Sequence, residues 1–186
     1  MHYNYKYKIG VSGAEETGHC QKDALEKARE VGRQIVLHKG VLITGACWGM
    51  HYEAAVGAKE VGGLSIGVSP ALSEKEHIEK YKFPTDKFDL IFYTGYGFSP
   101  RNVWLMRMAD AVIFICGRMG TLNEFTICFE DHRLIGVLEG TGGTADLIRE
   151  IVNVSHKGPG KIIYEKDPKK LVEKICKAID EEKRSL

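Results

Sequence analysis

The sequence predicts an α/β fold: a single doubly wound, mainly parallel sheet of about seven strands. Two observations carry this. Short apolar runs alternate with segments of helical periodicity along all 186 residues, and no low-complexity stretch or linker divides them. Several of those runs also break into glycine-containing loops just before a helix, which is where parallel sheets hold ligands. The expected domain is residues 1–186.

Residues 8–12 read as the first strand, followed by a loop at 13–18 and a helix at 21–38 burying Leu25, Ala28, Val31 and Ile35 at helical spacing. Residues 41–44 form the second strand. The small-residue loop Gly45-Ala46-Cys47-Trp48-Gly49 then leads into a helix at 51–61, whose Ala54, Ala55, Gly57 and Ala58 suit close core packing. His51, at its start, is expected to face solvent. A third strand occupies 64–68. The stretch 69–89, with Pro70, Pro84 and many charges, is irregular apart from a short helix around 75–80.

The fourth strand, 90–93, enters a glycine and aromatic loop, 94–100, that is not a G-x-G-x-x-G match because Pro100 takes the last place. Arg101 opens a helix at 102–108, with Val103, Leu105 and Met106 directed to the core. A cation at a helix start opposes the dipole, so either an anion meets Arg101 or the side chain is solvated. Further strands are expected at 134–138 and 162–164, with helices at 145–154 and 168–182; Gly142-Gly143-Thr144 caps the first of these. The loop 155–161 reads as a surface turn.

The chain is organised around Ala109 to Phe125, ADAVIFICGRMGTLNEF. Residues 111–115 have the continuous apolar character of a strand buried on both faces. Gly117 and Gly120 then let the backbone turn and expose its N–H groups, and Thr121 stands where an N-cap would open a helix. Strand, glycine loop and helix start together make an anion site, with phosphate the natural ligand. Glu124 has two readings: a capping-box carboxylate serving Thr121, or a side chain aimed at the ligand.

Composition narrows the function. Lys and Arg number 26 against 25 Asp and Glu, a net charge of +1 that gives no electrostatic case for nucleic acid or an anionic membrane. No leader-like apolar segment or membrane-spanning run is read, so a soluble, cytoplasmic protein is expected. Five cysteines, an odd number with no C-x-x-C pair, argue against a zinc site and a disulfide framework; most are expected to be reduced, buried thiols. Cys47 and Cys116 both sit in ligand-facing loops, but burial outweighs a nucleophilic or redox role. No histidine motif supports a metal, and no cofactor is implied.

With both loops in view, the chain resembles the LOG family of Rossmann-like nucleotide-binding proteins, formerly labelled possible lysine decarboxylases. The family's signatures are G-G-G-x-x-G opening a helix and P-G-G-x-G-T-x-x-E after a later strand. Here they read TGACWGM and CGRMGTLNE, with Arg101 on the helix where the family carries an arginine. The better studied members hydrolyse the N-glycosidic bond of nucleoside 5′-monophosphates to free base and ribose 5-phosphate. The resemblance therefore implies a phosphorylated nucleoside or related ligand. It implies binding positions at Gly45, Gly49, Gly117, Arg118, Gly120 and Thr121, with Arg101 and Glu124 as the catalytic pair. Arg118 replaces a family glycine and either fills the phosphate pocket or donates to the phosphate. Cys116 replaces a proline, Ala46 and Cys47 replace two glycines, and Asn102 replaces a lysine.

The Arg101-Asn102 pair looks like the branch that includes molybdenum-cofactor carriers, which bind a phosphorylated pterin without converting it. A phosphoribohydrolase and a non-catalytic carrier or sensor are thus the two functional readings. Lysine decarboxylation is rejected, since no pyridoxal phosphate lysine context is recognisable. The resemblance also implies a homodimer, with the helices after Gly49 and after Arg101 as candidate surfaces.

Overall fold

Seven apolar segments pair side by side into one fully parallel sheet. The structure, a computed structural model, describes residues 5–184; residues 1–4 and 185–186, at the ends of the expected domain span, lie outside the described residues. The strands are β1 (Tyr7–Gly13), β2 (Gly40–Thr44), β3 (Ser65–Ser69), β4 (Leu90–Tyr93), β5 (Ala111–Ile115), β6 (Leu134–Leu138) and β7 (Ile162–Glu165). Between and after them run α1 (Ala24–Leu37), α2 (Met50–Glu60), α3 (Glu74–Glu79), α4 (Phe98–Met108), α5 (Met119–Glu130), α6 (Ile148–Ser155) and α7 (Pro168–Arg184). The order across the sheet is β4-β3-β2-β1-β5-β6-β7. It reverses direction between β1 and β5, where Ile9 to Gly13 lie in register with Ala111 to Ile115.

Both faces of the central strands are buried because helices cover both sides. Ile9, Val11, Ile113 and Ile115 pack with α1, α2 and α7, while Val112 and Phe114 point the other way to Leu105, Met106, Phe125 and Ile148. In α1 it is Ala24, not Leu25, that joins Ala28, Val31 and Ile35 in the core; Leu25 is exposed. The small residues of α2 all face inward. A Cβ on Gly57 would lie 1.8 Å from the Arg29 carbonyl, and one on Gly32 1.9 Å from that of Ala54. Only glycine admits this separation of α1 and α2, so the α2 stripe is spent on packing and offers no free surface to a second copy.

Several helix starts differ from expectation. Helix α4 begins at Phe98, so Arg101 lies within its first turns instead of opening it. Helix α5 begins at Met119, placing Thr121 at its third position, where its hydroxyl accepts from the Arg118 N–H at 3.4 Å. The helix expected at 145–154 starts as a 3-10 turn, Gly143–Leu147, before α6. The irregular stretch 70–89 is pinned by buried His77, which bonds the Ser69 hydroxyl at 2.8 Å and donates to the Pro84 carbonyl at 3.1 Å.

Candidate ligand-binding site

Where strand order reverses, the carboxyl ends of β1 and β5 part and open a crevice. Its walls come from four segments. The loop after β1 contributes Gly13 to Glu16, the β2–α2 region Cys47 and His51, helix α4 Phe98, Arg101 and Asn102, and the β5–α5 turn Arg118, Gly120, Thr121 and Glu124. Arg101, Glu124, Arg118, Gly120 and Thr121 thus share one cleft. Gly45 borders it: a Cβ there would lie 2.3 Å from Arg101 Nη1. Gly49 and Gly117 shape the turns that bound it. Gly49, at φ +66°, passes so close to the chain after β1 that a Cβ would meet the Ala14 carbonyl at 2.2 Å, and Gly117, at φ +102°, stacks against Thr121.

Glu124 does not cap its helix. Its side chain is buried and accepts a hydrogen bond from the hydroxyl of Ser12, at the carboxyl end of β1. With its amide nitrogen turned toward α5, Asn102 donates to Glu124 Oε1 at 2.9 Å and to the Phe98 carbonyl at 3.0 Å. Arg101 Nη1 stands 3.9 Å from Oε1, close enough for charge attraction and too far for a hydrogen bond. Burial raises the Glu124 pKa, with the Arg101 charge and the Ser12 hydrogen bond opposing it. Arg101 is also buried, and its Nε and Nη1 have no hydrogen-bond partner among the described residues.

His51 is buried and contributes from within. The Gly45 N–H donates to its Nδ1 at 3.2 Å, which places the proton on Nε2 for donation to the Gly13 carbonyl at 3.1 Å. Burial and the Arg101 charge push its pKa down to about 4, so the ring ties two loops together as a neutral imidazole. Its expected solvent position is overturned: a polar ring at a helix start reads as exposed until backbone partners are seen. Cys47 is buried, and burial raises its thiol pKa, which removes it as a nucleophile at neutral pH.

At the mouth, Arg118 extends outward and forms an ion pair with Glu16, its side chain 55% exposed. It does not plug the cleft. Gly120 faces open space, and the first-turn amides of α5 have no carbonyl of their own helix to bind. Cys116 is joined by a disulfide to Cys20, a pair missed by counting cysteines, while Cys47, Cys128 and Cys176 are free and buried.

Comparison with known proteins agrees with this architecture. The profile of the SLOG cluster4 family matches residues 6–172. The chain belongs to this family. An uncharacterised protein of Archaeoglobus fulgidus is 31% identical over 132 residues, covering 71% of this chain and 80% of the relative. Among solved structures, the molybdenum cofactor binding protein of the phototrophic bacterium Rippkaea orientalis is 28% identical, covering 94% of this chain and 98% of its own, with a TM-score of 0.76. The molybdenum cofactor carrier protein of Chlamydomonas reinhardtii is 25% identical, covering 94% and 99%, with a TM-score of 0.73. The LOG resemblance and the Rossmann-like fold are therefore upheld, and this SLOG member falls in a nucleotide-binding family. No helix among the described residues is long and apolar enough to cross a membrane.

Proposed function

We propose that this protein binds a phosphorylated nucleotide or pterin, with the phosphate against Arg101 and the first turn of α5, and holds it without cleaving it. The observation that carries this reading is the buried Arg101 guanidinium with two unpartnered nitrogens. A buried cation so poorly satisfied is costly, and the guanidinium gains the missing acceptors when it turns toward a phosphate in the cleft. The amides of Gly120 and Thr121 add donors at the positive end of the helix dipole. Arg118 swings from Glu16 to the phosphate once the ligand enters, and Phe98 offers an aromatic wall to a flat heterocycle.

Carriage is favoured over hydrolysis by the state of Glu124. Ser12 donates to one of its oxygens and Asn102 to the other, which restrains the buried carboxylate against moving out to a ribosyl carbon. The likeness to two molybdenum-cofactor proteins over nearly their whole length supports the same choice. The phosphoribohydrolase is the second reading, resting on the burial of Glu124 beside Arg101 in one cleft.

One ligand panel separates the two. Purine and pyrimidine nucleoside 5′-monophosphates and a phosphorylated pterin are tested for a rise in melting temperature and for release of free base, with wild type beside Glu124→Gln. Binding with intact ligand is expected. Base release that collapses in Glu124→Gln would establish the hydrolase, and no thermal shift with any phosphorylated ligand would overturn both readings.

The same reading includes a homodimer built on α4. Leu90 and Phe92 pair in register with Ile66 and Val68, so they lie on the sheet face that α4 covers, yet beyond its reach. Both are exposed, as are Phe98 and Trp104 on α4 itself. Large apolar side chains left exposed on α4 and on the neighbouring edge strand suit a second copy. Light scattering should give twice the chain mass, and Trp104→Glu should halve it; a wild-type monomer would overturn this.

A further inference from the structure

The Cys20–Cys116 disulfide lies just beyond the cleft, with His19 beside it, and none of the three residues has a place in the binding reading above. Cys116 directly follows β5 and Cys20 precedes α1, 96 residues apart in sequence. The His19 Nε2, Cys20 Sγ and Cys116 Sγ atoms all lie within 4.8 Å of one another. His19 is exposed, Cys20 half-buried and Cys116 buried, so the group opens to solvent on one side.

The backbone holds these residues in place without the disulfide. The Cys116 N–H donates to the Thr141 hydroxyl at 2.8 Å, and its carbonyl accepts from the Ala145 N–H at 2.7 Å. On the other side, the Gln21 N–H donates to the Thr141 carbonyl at 3.0 Å, and the Cys20 N–H to the Thr17 carbonyl at 2.9 Å. The loop after β6 therefore anchors both cysteines, and cleaving the bond leaves two thiols and an imidazole facing one another. Such preorganisation is what a metal site needs from its scaffold.

We propose that His19, Cys20 and Cys116 form a redox-gated site for a thiophilic divalent cation of the zinc type: open to metal as the dithiol, closed to it as the disulfide. Two thiolates and one imidazole are the ligand set of a three-protein-ligand zinc site whose fourth position goes to water. His19 Nε2, 3.1 Å from the Gly117 carbonyl and 3.5 Å from Cys116 Sγ, shifts its proton to Nδ1 and turns its lone pair to the metal. Reduction by a thiol proceeds with attack on the more accessible Cys20 Sγ and departure of Cys116 as thiolate. A second thiol then releases Cys20, and two electrons pass from the two thiols, which leave as their own disulfide. Metal binding expels one proton from each cysteine. The metal replaces one cross-link with another, between the loop bearing Glu16 and the turn bearing Arg118.

The test uses the full chain and cobalt(II) as probe. Thiols are counted in denaturant after isolation under air and after treatment with a phosphine, which takes up oxygen from water as the disulfide becomes two thiols. Three free thiols are expected before treatment and five after, matching the three free cysteines and the total of five. The reduced protein should take up one equivalent of cobalt with thiolate-to-metal charge-transfer absorption and the visible bands of a tetrahedral ion; the oxidised protein should show neither. Cys20→Ser should abolish the charge-transfer band, and His19→Ala should weaken binding at least tenfold, while Cys176→Ser, on α7 and outside the cleft, leaves both unchanged. The proposal falls if the reduced wild type gives no charge-transfer band, if the band survives Cys20→Ser, or if the oxidised protein binds equally well.

Discussion

Arg101 and Glu124 face each other at 3.9 Å, both side chains only 5% exposed, and the guanidinium spans that gap without donating across it. A buried ion pair at hydrogen-bonding distance would be complete. This one leaves Arg101 Nε and Nη1 without acceptors, as befits a cation waiting for an anion.

Arg101→Met should therefore weaken ligand binding more than it harms the fold. Methionine fills much of the apolar volume, and loss of the opposing charge leaves burial to raise the Glu124 pKa further, which lessens the cost of the unpaired carboxyl. Loss of a charge-assisted phosphate contact should weaken binding about 100-fold, or about 3 kcal/mol. Calorimetric titration with the best ligand of the panel measures it; a change below about threefold would remove Arg101 from the site.

Gly45 tests the same guanidinium from behind. An added Cβ would stand 2.3 Å from Arg101 Nη1, and the side chain must retreat because Gly45 is held by its N–H bond to His51. Gly45→Ala is expected to cost about tenfold in ligand affinity, roughly 1.4 kcal/mol, with a folded circular dichroism spectrum retained. Unchanged affinity would mean that the guanidinium has room to move without consequence.

How much of this could be read beforehand follows from the range of each signal. Strands such as Ala111–Ile115 and Leu134–Leu138 were legible because a buried parallel strand writes its apolar run into consecutive residues. Arg101, Glu124, Gly120 and Thr121 were legible through motif context, and they do share one cleft. What stayed hidden was tertiary. Ser12 meets Glu124 across 112 positions and Cys20 meets Cys116 across 96, and neither pairing has a local pattern. Thr121-x-x-Glu124 looked like a capping box because the spacing is right; the helix begins two residues earlier, which turns Glu124 toward β1. Only Asn102 left a usable trace, standing directly after the arginine whose partner it holds.

His51 gives the protein a pH dependence with a definite sign. Its folded-state value of about 4 lies below the ordinary 6.5, so the unfolded chain takes up a proton that the folded chain refuses as the pH falls through that window. Stability is full above 6.5 and declines toward 4, by about 2 kcal/mol between about pH 7 and about pH 5 from this group alone. Glu124 acts oppositely, since its raised value lets the folded state gain a proton first. The check is the difference between wild type and His51→Asn in urea unfolding across that range. The variant is less stable throughout, and its stability should fall less on acidification; parallel curves would show that His51 is not the titrating group.

Arg118 decides whether the mouth of the cleft recruits the ligand. Its ion pair with Glu16 is exposed and of small worth, so exchanging Glu16 for a phosphate costs little. Glu16→Gln should strengthen binding severalfold by freeing Arg118, and Arg118→Gly should weaken it about tenfold, an effect that shrinks as salt is added. Both affinities come from titrations at two ionic strengths. If Arg118→Gly binds as tightly as wild type at low salt, the arginine is a surface partner of Glu16 and the α5 amides with Arg101 hold the phosphate alone. If it binds more tightly, Arg118 obstructs the cleft, and the glycine found at this position in LOG relatives marks the more open site.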